Sequence, residues 1–312
     1  MSAYENKIVL IGSTGFIGSH VLEELRRLNY DVLLVDNNST GRFSNIKHLY
    51  SKDDLPELLD IDKLKFYPKI PTVIHLGTPS SYIQYETNPH LYSYTIKDFL
   101  TVLNYCKHWN SKLIYASTGS MYYGNHVPFN ETMNIYPKDL YSECHFQMER
   151  LCNLYTLYGV RSLGLRLFNV YGTREDYKGD NASIVNRFTR AISSNKNLVV
   201  YGDGSQTRDF IHVDDVVKCV MSAMNIKFSN DVVNVGSGES YSFNDIAELI
   251  NTLLDRNIKI TYKPNPIGNY LEHSLADISK ANKLLKFTPS INIEDGVKNI
   301  IEESLYKEIF QE

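Results

Sequence analysis

Short apolar runs alternate with helical patterns through the first half of the chain. An apolar run of about four to eight residues between polar segments is typical of a strand buried on both faces of a sheet. Apolar residues that recur about every three or four positions instead indicate an amphipathic helix. Because strands separated by helices form parallel sheets, the alternation predicts an α/β fold with a doubly wound parallel sheet. The predicted strands are residues 7–11, 31–35, 72–76, 112–117 and 161–168.

Helix ends are marked by residues with known capping preferences. One helix is predicted to begin near Asp139 and to run to Tyr158, where Gly159 ends it. Ser242 followed by Asp245 forms a capping box that opens a helix over residues 246–254. The helix after the first strand has an apolar face formed by Phe16, Ile17, Val21, Leu22 and Leu25.

The second half of the chain continues the alternation in shorter units. Strands are predicted near residues 198–201, 232–235 and 258–262. We interpret residues 1–172 as the main domain, with contributions from about 198–225. Residues 173–312 then form a smaller C-terminal α/β lobe, folded over the carboxyl edge of the main sheet. A chain of 312 residues is long enough for this arrangement.

Composition argues against several classes of protein. The net charge is -4, which gives no reason to expect binding to nucleic acid or to an anionic membrane surface. No apolar run approaches the roughly 18 residues that span a bilayer, and the N-terminus lacks a leader pattern, so we expect a cytoplasmic protein. The four cysteines, Cys106, Cys144, Cys152 and Cys219, have no zinc-ligand spacing, so we expect reduced thiols and no metal site.

A glycine-rich turn lies between the first strand and the first helix. Gly12 allows the tight turn, Gly15 lets the backbone approach a pyrophosphate, and Gly18 lets helix and strand pack closely. Such trios also occur in ordinary loops, but Asp36 closes the second strand 18 residues after Gly18, where a carboxylate can accept hydrogen bonds from the adenosine ribose. That carboxylate repels a 2′-phosphate, and no arginine follows it directly. The pattern predicts a Rossmann-type domain that binds NAD rather than NADP.

Tyr141 and His145 lie four residues apart and therefore share one helix face. Among 23 tyrosines such a pair alone means little, and a surface pair would explain it. Its position is more specific, because it follows the strand that ends in Ser117, Thr118 and Ser120. Open α/β sheets bind their ligands at the carboxyl ends of central strands.

These motifs together resemble one family, the extended short-chain dehydrogenases/reductases, and within it the nucleotide-sugar epimerase/dehydratase group. The resemblance is greatest to UDP-hexose 4-epimerases and covers nearly the whole chain, up to about Pro289. The matching stretches, in family order, are GSTGFIG, VDNNSTGR, VIHLG, ASTGSMYYG, the Tyr141 helix with Glu149, LRLFNVYG, YGDGSQTRDFIHVDD, NVGSG and HSLADISKA.

The resemblance implies roles for individual residues. Tyr141 would take a proton from a sugar hydroxyl as hydride leaves the same carbon for nicotinamide, and Thr118 would hydrogen-bond the reacting oxygen. The family's usual hydroxyl residue can also be aligned on Gly119, which would leave Ser120 as a substitute donor. Asn169 and Arg208 would hold the nucleotide diphosphate. The cofactor site would comprise Gly12, Gly15, Phe16, Ile17, Gly18, Asp36, Asn37, Leu76, Tyr141 and His145.

His145 departs from the family motif, which has lysine at this position. That lysine holds the nicotinamide ribose and supplies a fixed cation beside the tyrosine. A histidine can donate to the ribose, but its ordinary pKa of about 6.5 leaves it largely neutral at cytosolic pH. Three outcomes stay open: a His145 that is protonated by a carboxylate or by the tyrosinate, a weaker base with slow or specialised turnover, and a site that binds but has lost chemistry.

Other positions leave contacts unassigned. Asp54 and Asp60 are both candidates for the adenine contact. The family's arginine near HSLAD is missing, with Pro266 and Ile267 in its place, so diphosphate binding would rely on Arg208 and on Lys263.

Members of the family commonly form homo-oligomers by pairing the helix after the fourth strand with the helix of Tyr141, so we expect a homo-oligomer here. Packing within the core of a single chain would explain the apolar residues of these two helices equally well. The candidates are Leu91, Tyr94, Phe99 and Leu103 on one helix, and Leu151, Leu154 and Tyr158 on the other.

The predicted function is NAD-dependent oxidation at C4 of a UDP- or GDP-linked sugar, with 4-epimerisation favoured. A dehydrogenase that releases the keto sugar and an NAD-binding regulatory protein are the alternatives. A 4,6-dehydratase is disfavoured, because the family's dehydratases carry Asp-Glu after the threonine, where this chain has Gly119 and Ser120.

Overall fold

The computed structural model describes residues 6–265 and 271–310, with side chains to residue 306. Its strands are β1 (Lys7–Ile11), β2 (Asp31–Val35), β3 (Thr72–His75), β4 (Lys112–Thr118), β5 (Arg161–Leu167), β6 (Asn169–Tyr171), β7 (Leu198–Tyr201), β8 (Thr207–Arg208), β9 (Phe210–His212), β10 (Asn230–Val235), β11 (Tyr241–Ser242) and β12 (Ile260–Lys263). Its α-helices are α1 (Phe16–Arg27), α2 (Ser44–Lys47), α3 (Tyr82–Thr87), α4 (His90–Trp109), α5 (Leu140–Tyr155), α6 (Ile184–Ser193), α7 (Val213–Asn225), α8 (Phe243–Leu253), α9 (Ser279–Leu285) and α10 (Ile293–Phe310). Short 3-10 helices cover Ile61–Phe66, Gly119–Tyr122, Thr156–Tyr158 and Asp176–Asn181.

A six-stranded parallel sheet forms the centre of the molecule, in the order β10-β5-β4-β3-β1-β2. From β1 the chain first adds β2 on one side and then β3, β4, β5 and β10 on the other. The strand order therefore reverses between β1 and β3, and ligands of open α/β sheets bind outside the carboxyl ends of the strands at such a point. The predicted Rossmann-type α/β fold is confirmed.

The two faces of this sheet have separate apolar cores because successive side chains of a strand point in opposite directions. On β1, Ile8 and Leu10 pack with α1 and α7 residues such as Val21 and Val216. Val9 and Ile11 point to the other face, where they pack with residues of α4 and α5. Helices on both faces explain why the strands read as continuous apolar runs.

The last strand of the central sheet comes from the second half of the chain. β10 pairs with β5 in parallel, whereas the sequence placed residues 232–235 in the smaller lobe. α7 lies within the predicted segment 198–225 and packs against the sheet, and β10, beyond that segment, joins the sheet as well. β7, at the start of the predicted segment, pairs instead with β12 outside the central sheet. A short apolar run buried in a sheet does not show by itself to which sheet it belongs.

Outside the central sheet, α6, α8 and α10 share a third apolar core, with Phe188, Ile246 and Val297 among its members. The predicted capping box is present at α8, where Ser242 and Asp245 bond each other's backbone N–H. Short strand pairs connect this part to the main sheet; β6 pairs with β9 directly after β5 ends. This connection brings Asn169 and Arg208 to the carboxyl edge of the sheet.

The α4–α5 face proposed for oligomer contacts is partly core. Phe99 and Leu103 are fully buried in this chain, so core packing accounts for them. Tyr94, Leu154 and Tyr158 are exposed and remain candidates.

Within the described part of the chain, no helix is long and apolar enough to cross a membrane, and no cluster of histidine, cysteine and carboxylate side chains could hold a metal ion.

Candidate active site

The glycine turn is fixed by backbone contacts that exclude side chains. Gly12 has a φ of +82°, and a Cβ there would lie 2.5 Å from the Cα of Gly77. A Cβ on Gly18 would lie 1.9 Å from the carbonyl oxygen of Gly12. Gly15 is the N-cap of α1 and supplies no capping side chain, and Gly15, Phe16 and Ile17 line the adjoining cleft, so the first N–H groups of the helix are available to a ligand there. The turn can therefore accept a phosphate group against its backbone.

Asp36 closes the same cleft at the end of β2. One carboxylate oxygen accepts the N–H of Thr14 at 2.8 Å, and the other accepts the N–H of Asn38 at 2.8 Å. These bonds hold the half-buried carboxylate beside the glycine turn and leave lone pairs on each oxygen for ribose hydroxyls.

The cleft has a volume of about 290 Å³ and brings together the eight predicted cofactor residues from Gly12 to Leu76. Tyr141 and His145 are not among its lining residues. Sequence reasoning missed several lining residues, because they come from segments far apart in the chain and only Arg42 falls within a quoted motif, VDNNSTGR. These residues are Arg42, Thr78, Gln84, Asp98, Tyr177, Lys178 and Asn181.

The adenine candidates differ in position. Asp60 caps a 3-10 turn by accepting the N–H of Asp62 at 2.8 Å, and its neighbour Ile61 lines the cleft. Asp54 is not a lining residue, whereas Asp98 of α4 is. Burial raises the pKa of the Asp98 carboxyl above its usual range.

Tyr141 lies in the first turn of α5, which begins where Asp139 accepts the N–H of Ser142 at 2.7 Å. Burial raises the pKa of Tyr141 to about 12, and a hydrogen bond with the Thr118 hydroxyl opposes this rise. The structure thus places Tyr141 and Thr118 together at the carboxyl end of β4. A phenol with this pKa needs further stabilisation of its anion to act as a base near neutral pH.

Ser120 takes a different position from Thr118. Its side chain is exposed, and its backbone N–H donates to the Thr118 hydroxyl oxygen at 3.1 Å. A Cβ on Gly119 would lie 2.9 Å from the ring of Phe168, so a hydroxyl residue at 119 would require that ring to move. Thr118 is therefore the hydroxyl side chain that the structure places against Tyr141.

His145 is buried one turn along α5, with 2% of its surface exposed. Its ring centroid lies 4.7 Å from that of Tyr141. Neither ring nitrogen has a hydrogen-bond partner of good geometry among the described residues. Burial lowers the pKa of His145 to about 4. A hydrogen bond with the Ala116 backbone opposes this lowering, and the positive charge of a protonated His75 would add to it. His145 is therefore neutral near pH 7, and none of the described carboxylates raises its pKa.

Ser117 points away from this group into a buried polar network. Its hydroxyl donates to Glu149 at 2.7 Å, and Glu149 receives two bonds from Arg166 at 2.9 and 2.7 Å. Arg166 also donates to the Tyr122 hydroxyl at 2.6 Å, which donates to Asn234 at 2.8 Å. The network ties β4, β5, β10 and α5 together behind the site, so Ser117 has a structural role.

Asn169 and Arg208 lie together at the carboxyl edge of the sheet. Asn169 donates its side-chain amide to the Asp209 carbonyl at 3.1 Å and to Ser274 at 3.3 Å. The guanidinium of Arg208 donates to the carbonyls of Thr207 at 2.8 Å and Glu272 at 3.0 Å. These bonds fix two polar side chains in a group that can bind a diphosphate.

Asp209 organises the loops around Arg208 and was missed in the sequence. Its buried carboxylate accepts backbone N–H groups from Ser237 at 2.6 Å, Gly238 at 3.1 Å and Ala276 at 3.0 Å. Burial raises the pKa of Asp209, and these bonds oppose the rise.

Lys263, the other residue predicted to help bind the diphosphate, is an exposed residue at the end of β12.

Two other predictions near this site, Pro266 and Ile267, lie outside the described residues.

Comparison with known proteins identifies the family. Residues 8–236 match the model of the NAD-dependent epimerase/dehydratase family. The chain belongs to this family. The predicted resemblance to nucleotide-sugar enzymes of the extended short-chain dehydrogenase/reductase type is thereby confirmed. NAD is the family's cofactor, and the side-chain-free glycine turn beside Asp36 fits its diphosphate and ribose.

Members of the family with several different activities are similar to this chain. A Methanocaldococcus jannaschii protein, provisionally named a UDP-glucose 4-epimerase, is 32% identical over 302 residues, which cover 94% of this chain and 97% of that protein. UDP-glucuronic acid decarboxylase 1 of Danio rerio is 31% identical over 306 residues, which cover 95% and 72%. The structure of UDP-glucose 4-epimerase from Thermotoga maritima with UDP-glucose matches with a TM-score of 0.89 and 29% identity, covering 96% and 99%. The common ground of this family is NAD-dependent chemistry on nucleotide sugars.

Proposed function

We propose that the protein is an NAD-dependent 4-epimerase of a nucleotide-linked sugar, with UDP-sugars as the first candidates. The observation that carries this proposal is the pairing of Tyr141 with Thr118 at the carboxyl end of β4, one strand from the cofactor cleft. The similar proteins whose names include UDP-sugars support the choice of substrate class.

In this proposal Tyr141 takes the proton of the sugar C4 hydroxyl and later returns it. Thr118 hydrogen-bonds the reacting oxygen and keeps it next to the phenol. NAD, held by the glycine turn and Asp36, would supply reversible hydride transfer, so the overall reaction would need no other oxidant. Inversion requires that the 4-keto sugar present its opposite face before reduction.

Asn169 and Arg208 would hold the diphosphate of the substrate while the sugar turns. The guanidinium is already anchored by two carbonyl groups, so it loses little freedom when it binds phosphate oxygens. This anchoring keeps one end of the substrate fixed and leaves the sugar free to rotate.

His145 would act as a neutral hydrogen-bonding group toward the nicotinamide ribose. Its two ring nitrogens, buried beside Tyr141, have no hydrogen-bond partner of good geometry among the described residues, so a ligand could satisfy them. As a neutral ring it supplies no fixed cation to Tyr141, so we expect slow turnover near pH 7 that increases in alkaline buffer.

A second candidate function is NAD and nucleotide-sugar binding without chemistry. It is favoured by the raised pKa of Tyr141 together with the lowered pKa of His145. Both perturbations oppose formation of the tyrosinate.

The test is to incubate the protein with NAD and UDP-glucose or UDP-galactose, then to separate the sugars and to record absorbance of reduced nicotinamide. Epimer formation supports the proposal, and Tyr141→Phe should abolish it while NAD affinity stays unchanged. Tyr136→Phe, at an exposed tyrosine, is the matched control and should keep full activity.

Accumulation of reduced nicotinamide without an epimer would indicate a dehydrogenase. Binding of both ligands without any turnover from pH 7 to 10 would favour the binding protein. Activity retained in Tyr141→Phe would contradict the proposed base.

A further inference from the structure

A lysine lines the cofactor cleft beside the start of α1. Lys178 belongs to the 3-10 segment Asp176–Asn181, which lines the cleft together with Gly15, Phe16 and Ile17. Its ammonium group lies 5.1 Å from the ring centroid of Phe16, the first residue of α1. The side chain is largely buried, with 15% of its surface exposed.

The position of this ammonium group is electrostatically unusual. The N-terminus of an α-helix carries a partial positive charge, so a cation beside it is unfavourable unless an anion joins them. Glu175 supplies one negative charge, since its carboxylate lies 2.8 Å from the ammonium of Lys178. Glu175 is itself fully buried and accepts the N–H of Ser183, which fixes it beneath the lysine. This pair holds the ammonium at the cleft wall.

We propose that Lys178 binds the diphosphate of NAD beside the glycine turn, with Glu175 as the residue that positions its ammonium group. A diphosphate at the start of α1 would accept N–H groups of the helix and a hydrogen bond from the lysine. The second cation of the cleft lining, Arg42, lies on the loop after β2, near Asp36. The proposal depends on the family's cofactor and does not depend on the 4-epimerase reaction.

The experiment compares Lys178→Met with Lys218→Met in the full-length chain. Lys218 is the matched control, because it also pairs with a buried carboxylate three residues earlier, Asp215, at 2.9 Å, but lies outside the cleft. Both changes remove one positive charge from such a pair. Affinities for NAD, ADP-ribose and adenosine are measured by titration calorimetry, and folding by circular dichroism.

We expect Lys178→Met to weaken NAD and ADP-ribose binding by about tenfold to hundredfold, the usual effect of one charge-assisted hydrogen bond. Adenosine, which has no diphosphate, should bind both variants like the wild type, and Lys178→Arg should restore most of the affinity. Equal NAD affinity in Lys178→Met and Lys218→Met would overturn the proposal, as would an equal loss of adenosine binding.

Lysine acetylation of the wild-type protein tests the same contact if Lys178→Met does not fold. NAD and ADP-ribose should protect Lys178 from acetylation, and adenosine should not, whereas Lys218 should react equally in all samples. Equal labelling of Lys178 with and without ADP-ribose, at concentrations that saturate binding, would contradict the proposal. None of these measurements requires turnover of a sugar, so an inactive protein tests the lysine equally well.

Discussion

Acid pH should destabilise this protein through its buried histidines, and His75 allows that effect to be isolated. His75 ends β3, is 1% exposed, and has no hydrogen-bond partner for either ring nitrogen within the described structure. Burial lowers its pKa to about 4, whereas an unfolded histidine titrates near 6.5. As pH falls through 6.5 the unfolded chain takes up a proton that the folded chain does not, so stability is lost.

The size of the loss follows from these two pKa values. Between pH 7 and pH 5 the linkage relation gives a decrease of about 2 kcal/mol in the free energy of unfolding for this one residue. The loss stops near pH 4, where folded His75 is protonated as well, and its total is about 3 kcal/mol. His145 and His20, whose pKa values burial also lowers to about 4, add to the effect in the wild type.

His75→Leu separates the contribution of this histidine. We would follow urea unfolding by circular dichroism at pH 7 and pH 5 for the wild type, His75→Leu and His126→Leu, an exposed control. The wild type and the control should each lose about 2 kcal/mol more than His75→Leu. An equal loss in all three proteins would refute the reasoning, since it would mean that His75 does not stay neutral in the folded protein.

Three further predictions concern the site itself. The ring of His145 lies 4.7 Å from that of Tyr141. A cation about 5 Å from the phenolate would stabilise it by about 3 kcal/mol at an effective dielectric of 20, so His145→Lys should shift the pH at which the rate of NAD reduction rises down by about two units. An unmoved pH profile would contradict this. Asp36→Asn should weaken NAD binding by about tenfold and NADP binding less, as measured by calorimetry, and equal losses would argue against a ribose contact. Arg208→Met should raise KM for the nucleotide sugar by about tenfold or more with a smaller change in kcat, and an unchanged inhibition constant for UDP would exclude its diphosphate contact.

The parts of the fold that were predictable are those set by local sequence. The strands from β1 to β5 follow continuous apolar runs, and the glycine turn needs particular residues at fixed spacing, so both are visible in the sequence. The capping box at Ser242 is equally local, and the structure has it where the pattern indicates. In each case the chemical reason lies within a few residues of the feature.

Features that depend on distant segments were not predictable in the same way. β10 joins the central sheet by pairing with β5, and nothing in its own residues distinguishes that sheet from another. Lys178 and Glu175 reach the cofactor cleft because the chain returns to it after β6, far from the glycine turn. The neutral state of His145 depends on its complete burial, which a helix pattern alone does not give.

The carboxylate of Asp209 gives this family member a fixed point around which its specificity can change. It binds the backbone at residues 237–238 and again at 276, so the ends of the intervening stretch are held by main-chain contacts that do not depend on side-chain identity there. Between these two anchors α8 packs in the core that it shares with α6 and α10, and β12 pairs with β7. Changes are therefore tolerated best at exposed positions of the stretch, such as Ser240 and Lys259, while the anchors hold both of its ends.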